Sequence, residues 1–234
     1  MLPPISPAQQ QPDTVPVSAA PQQVAGEYIV VSGGPALRKW ENYRIAAQRH
    51  DNWWANFIRT ARIRMQTVHQ AFPNFQITWM VYRPGYVTRT SEDRQPLMAN
   101  IQSVEKAYPY IHLVYFDSAS NLINYINSGN GRASKKIKGF EYFGHSNKFC
   151  FMFDYSNAIL GASKSWLHEK ELGQISASAF APDAYCKSWG CHTAESMSAA
   201  WKRATGVPMI GAVGKTDYSN GEIPMVFPPS HWVQ

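Results

Sequence analysis

The chain has 234 residues, 44% of them hydrophobic, enough for one large domain or two small ones with a sizeable core. Its 22 Lys and Arg against 16 Asp and Glu give a formal charge of +6, a mild excess that does not by itself call for nucleic acid. No apolar run approaches the roughly 18 residues of a membrane-spanning helix, and three cysteines in so long a chain argue against a disulfide framework.

Residues 1–26 hold six of the 16 prolines, five glutamines and a single charge, Asp13. Such a segment buries too little apolar surface to offset its ordering entropy. It reads as a flexible leader, through which a dimer contact or a fused partner could attach. The first Lys or Arg is Arg38, so residues 1–37 lack the basic start and apolar run of a secretory signal. A reducing, cytoplasmic location is the expectation, with export that uses no cleaved signal left open.

"EYIVV" (27–31) reads as a buried strand stopped by Ser32-Gly33-Gly34-Pro35. Residues 36 to about 70 read as helical, with Trp54, Phe57, Ile58, Ala61, Met65 and Val68 on one apolar face and Asp51 or Asn52 as a cap. "FQITWMVYRPG" is a strand closed by Pro84-Gly85, followed by a short helix over about 96–107. A clear alternation comes next. "IHLVYFDS" is a strand, "SNLINYINSG" a helix ending at Gly129, and "KIKGFEYFGH" a strand. "KFCFMFDY" is a hairpin arm and "SWLHEKELGQI" a helix. "AYCKSWGC" is a strand, "TAESMSAAWKRATG" a helix closed by Gly206, and "VPMIGAVG" the last strong strand. Alternating strands and helices predict an α/β fold with a mostly parallel sheet covered on both faces. Reactive groups in such folds sit outside the carboxyl ends of the strands.

Two strand ends carry chemistry. One is Gly144-His145-Ser146-Asn147. Read as the serine elbow G-x-S-x-G, it makes Ser146 a nucleophile, but position 148 is Lys and a strand-like run replaces the required helix. The other end is Gly190-Cys191, between a strand and a helix starting at Thr193 or Ala194. A thiol at a helix N-terminus feels the positive end of the dipole, which favours thiolate. His145 lies 46 residues upstream, at the end of what reads as a neighbouring strand, within reach as a base.

Together, "FEYFGHSN", "KFCFMFDYSNAILGASKSWLHEKEL" and "AYCKSWGCHTAESMSAAWKRATGVPMIGAVGKTDYS" resemble, in order and spacing, the caspase-like cysteine peptidases. The pattern is most similar to the bacterial CHAT-like and clostripain-like branches, and covers about 111–214. The resemblance implies a three-layer αβα sandwich in which residues 27–234 form one domain. Within that domain 111–234 is the catalytic part; residues 27–110 lie largely outside the resemblance and read as an N-terminal part adding a strand and a long helix packed on the sheet. It implies a cysteine endopeptidase with Cys191 as nucleophile and His145 as general acid/base, acting on a protein or peptide. The backbone N–H groups of Ser146 and Cys191 would form the oxyanion hole. Members usually carry Gly after the histidine, and this chain has Ser146 there. The later loop "GKTDYSNGE" would help build the P1 pocket, with Asp217 selecting a basic residue or Lys215 an acidic one; of the two, Asp217 is the expected specificity residue.

Two readings compete: a catalytically inactive interaction domain that keeps the fold, supported by Ser146, and the Ser146 hydrolase. No cofactor or metal is expected, because Cys186, Cys191 and His192 lack the paired spacing of zinc sites. His50-Asp51 alone is a poor metal motif. The seven Lys and Arg against two acids between 38 and 64 read as a solvated helix face rather than a nucleic-acid surface.

Overall fold

The computed structural model describes residues 26–46, 49, 52–155, 157 and 159–234. The first half of the chain forms β1 (Gly26–Ser32), α1 (Arg38–Tyr43), α2 (Asn56–Ala71), β2 (Phe75–Tyr82), α3 (Arg83–Asp93), α4 (Leu97–Ala107) and β3 (Ile111–Phe116). The second half forms α5 (Ala119–Ser128), β4 (Ile137–Phe143), β5 (His145–Asn147), β6 (Cys150–Met152), β7 (Trp166–His168), β8 (Phe180–Ser188), α6 (Met197–Thr205), β9 (Met209–Val213) and β10 (His231–Val233). Seven strands make one sheet in the order β10-β9-β8-β4-β1-β2-β3. All its pairings are parallel except β10 on β9.

Both faces are buried, and β1 shows why its sequence is a continuous apolar run. Ile29 and Val31 point to a core with Leu122, Ile123 and Ile126 of α5 and Met197 and Trp201 of α6. Tyr28 and Val30 point the other way, to Phe57, Ile58, Ala61, Met65 and Val68 of α2 and Ile101 of α4. The result is a three-layer α/β sandwich. A small antiparallel sheet, β5-β6-β7, packs Phe151 and Leu167 onto the α5/α6 side.

The strand and long helix expected from residues 27–110 are β1 and α2. They are no appendage: β1 lies inside the sheet between β4 and β2, so residues from both parts share one set of ladders. The long helix is split, α1 ending at Tyr43 and α2 starting at Asn56 behind an Ala55 N-cap with no side-chain bond. Asn52 is not the cap. Asp51, His50 and residues 1–25 of the leader lie outside the described residues. Pro84-Gly85 opens α3 rather than closing β2, because proline fits the first helical turn, where its missing N–H removes no bond. The run 165–175 is not an α-helix. It gives β7 and then a 3-10 segment, Glu169–Gln174, in which the His168 ring accepts the Lys170 N–H and the Glu171 carboxylate accepts the His168 N–H. Among the described residues no helix is long and apolar enough to cross a membrane.

Two carboxylates lie in neighbouring central strands, one on each face. Glu27 of β1 is ion-paired with Arg132 (2.5 Å) and accepts from Tyr125 (2.8 Å) and Thr78. Glu141 of β4 is ion-paired with Arg64 of α2 (2.6 Å) and accepts from the Trp189 indole (2.6 Å) and the Tyr28 hydroxyl. Both carboxylates are fully buried, and burial together with the Glu141 charge pushes the Tyr28 hydroxyl far above the ordinary tyrosine range.

Candidate active site

β4 and β8 run side by side in parallel, with Tyr142 opposite Ser188. Their carboxyl ends therefore emerge together, one leading through Gly144 to His145 and the other through Trp189-Gly190 to Cys191. Neutral hydrogen bonds lock the two exits. The Trp189 N–H donates to the Tyr142 carbonyl (2.8 Å). The Tyr218 hydroxyl donates to the Trp189 carbonyl (3.1 Å) and accepts the Gly144 N–H (3.3 Å). The Ser146 hydroxyl donates to the Cys191 carbonyl (2.7 Å). Gly190 is required by this closeness: a Cβ there would lie 2.1 Å from Ser146 Oγ and 3.1 Å from the Gly144 carbonyl.

His145 and Cys191 line one cleft of about 290 Å³ with Arg44, Ser146, Tyr155, His192 and Lys215. A narrower space of about 30 Å³ behind them is walled by both residues and by Phe57, Gly144, Thr216 and Tyr218. The imidazole is sandwiched edge-to-face between Phe57 (5.1 Å) and Tyr155 (4.8 Å). Its backbone carbonyl accepts from the buried Tyr142 hydroxyl (2.7 Å), whose proton burial holds firmly. Cys191 is half-buried, while Cys150 and Cys186 are buried thiols that burial pushes up to about 11 and about 12.

Several expectations change here. α6 begins at Met197, with only a 3-10 turn over Thr193–Glu195 before it, so Cys191 does not sit on the end of a full helix. Its sulfur faces Thr216 instead. Asp217 lines neither of these spaces. Its backbone pairs with Met225, and in an extended stretch successive side chains alternate sides. Thr216 and Tyr218 therefore face the site, while the Asp217 carboxylate turns away and accepts the Ser219 N–H (2.7 Å). Lys215, the alternative weighed against it, does line the cleft. Ser146 is followed by the β5–β6 hairpin and not by a helix. The His192 ring is paired with Glu195 (2.6 Å), and this bond holds the Glu195 carboxyl below the usual range.

Sequence reasoning missed Arg44, Phe57, Tyr142, Tyr155, Thr216 and Tyr218. Tyr142 and Tyr155 lay beside the singled-out histidine strand and hairpin, where they read as core aromatics, and Thr216 and Tyr218 lay in the later loop, where the charges drew attention over the neutral hydroxyls. No family model, curated protein or solved structure matches this chain.

Proposed function

We propose that the chain is a cysteine endopeptidase of the caspase-like type, with Cys191 as nucleophile and His145 as general acid/base. The observation that carries this reading is the meeting of these two side chains in one cleft, at the exits of adjacent parallel strands. His145 takes the thiol proton. The sulfur then forms a bond to the scissile carbonyl carbon, and the oxygen becomes an oxyanion. The Cys191 N–H, with the Ser146 N–H beside it, is the candidate donor to that charge. His145 returns the proton to the departing amine as the C–N bond breaks, leaving a thioester. A water, deprotonated by His145, attacks the thioester; the C–S bond breaks and the acid is released.

The substrate is a protein or peptide. Arg44 and Lys215 on the cleft wall favour an acidic side chain beside the scissile bond, in place of the basic one expected from Asp217. Arg44 shares its charge with buried Glu41 (2.9 Å), so Lys215 carries more of this preference.

The test is intact mass after iodoacetamide and, separately, a fluorophosphonate, with peptide mapping. Fast alkylation at Cys191 that slows in His145→Ala supports the dyad. A fluorophosphonate adduct on Ser146 replaces it with a serine hydrolase. Preferential labelling at neither residue leaves an interaction domain.

A further inference from the structure

The sulfur of Cys191 meets one residue three times. Thr216 places its backbone N–H 3.4 Å from Sγ, its hydroxyl oxygen at 3.5 Å and its carbonyl oxygen at 3.9 Å. We propose that Thr216 is a catalytic residue whose N–H and hydroxyl hold the Cys191 sulfur as thiolate. The proposal rests on the dyad reading above.

The two protonation states of the sulfur use these groups differently. The thiol has one proton, which can point to the Thr216 carbonyl, the most distant of the three. Once that proton has passed to His145, sulfur offers only lone pairs. The N–H already points at it, and the hydroxyl rotates to donate as well. Two donors then face a charged acceptor, and hydrogen bonds to charged groups are the stronger kind. Forming the C–S bond removes the charge, and breaking the thioester restores it, so the same donors assist the release of sulfur.

The donors are fixed before any substrate arrives. Thr216 is buried, so water competes little for the sulfur side. Gly214 sits at φ +82°, where a Cβ would lie 2.2 Å from Ser230 Oγ. Its N–H donates to Glu195 (3.0 Å) and its carbonyl accepts the His192 N–H (2.7 Å). The Lys215 N–H donates to Ser230 Oγ (3.1 Å), and Asp217 and Met225 exchange two backbone bonds (2.8 and 3.0 Å). Thr216 is thus pinned on both sides, which replaces the helix end that Cys191 lacks.

The test is the rate of iodoacetamide alkylation at Cys191 against pH, in the full chain and in Thr216→Val and Thr216→Ser. Val keeps the shape and removes the hydroxyl. It should slow alkylation at neutral pH roughly tenfold and move the midpoint of the profile upward, with kcat falling and KM unchanged. Ser should stay within about twofold of the parent. If Val does not accumulate as folded protein, Thr216→Ala is read the same way. A Val profile that superimposes on the parent overturns the role of Thr216 and leaves the dyad standing. Alkylation that is also indifferent to His145→Ala overturns the dyad itself, and with it this proposal.

Discussion

β4 and β8 hold two polar centres within a few residues of each other, built on opposite plans. Inside the sheet, opposite Lys187, Glu141 is a full charge with no solvent access, held by Arg64, Tyr28 and Trp189. Beyond the strand ends, Cys191 is half-buried, faces a cleft and is held by neutral donors of Thr216. Taking a charge out of water is tolerable only when every lone pair has a partner, so the interior centre is closed and inert. The exit centre leaves one wall open to the cleft, which is the access the proposed chemistry needs. Trp189 joins them: its indole donates to Glu141 and its carbonyl accepts from Tyr218.

This division predicts which changes remove activity and which remove stability. Cys191→Ala or His145→Ala should lower peptide hydrolysis by about a thousandfold or more while the unfolding midpoint in urea stays near that of the parent. Residual hydrolysis within tenfold of the parent in either variant would break the assignment. Glu141→Ala leaves Arg64 half-buried without its ion pair, and should cost about 3–5 kcal/mol in urea unfolding. A loss below about 1 kcal/mol would mean that the interior centre contributes no more than a surface pair.

The lock between the exits should give an intermediate effect. Gly190→Ala drives a methyl against Ser146 Oγ, an overpacking worth about 1–3 kcal/mol that displaces Cys191 and lowers kcat. Ser146→Ala loses one bond to the Cys191 carbonyl, about 1 kcal/mol, and should lower kcat only about fivefold. Combining Gly190→Ala with Ser146→Gly removes the nearest obstruction and should recover part of the activity that Gly190→Ala loses. Simple additivity of the two losses would show that the hydroxyl is not what confines position 190.

The interior and the exit also differed in how well the sequence exposed them. The sheet and the apolar face of α2 are local periodicities, and they were legible. So were the two strand ends that carry His145 and Cys191, because the end of a strand is marked locally in the sequence. Glu27 and Glu141 are hidden inside apolar runs, "EYIVV" and "GFEYF", although a carboxylate in a strand buried on both faces is itself a signal for a cationic partner. Their partners Arg132 and Arg64 are 105 and 77 positions away, beyond any local pattern. Asp217 misled for a smaller reason. A charge in a loop attracts a specificity role, but the backbone pairing with Met225, which no side-chain pattern announces, decides which way alternate side chains face. The position of β1 inside the sheet has the same origin, since nothing local distinguishes an inner strand from one added at an edge.

The smallest effect tests the boundary between the two centres, where Lys187 sits. Its ammonium lies 3.6 Å from the Trp189 ring centroid and 4.0 Å from that of Trp232. Burial lowers it to about 8, against the opposing pull of Glu141. A lysine depressed in the folded state binds fewer protons there than in the unfolded chain, so stability rises with pH from about 8 upward. The rise should be short. Cys150 and Cys186, pushed up to about 11 and about 12 by burial, keep protons that the unfolded chain releases above its ordinary thiol range of about 9. From there stability falls with pH, and the buried tyrosines, Tyr125 and Tyr185 among them at about 12, steepen the fall above about 10. Urea midpoints should therefore peak near pH 9. Lys187→Met keeps an apolar body between the two tryptophans and removes the titration, so the rise between pH 8 and 9 should vanish while the later fall remains. A rise that persists in Lys187→Met would place the titrating group elsewhere and separate the tryptophan pair from the charge balance of the sheet.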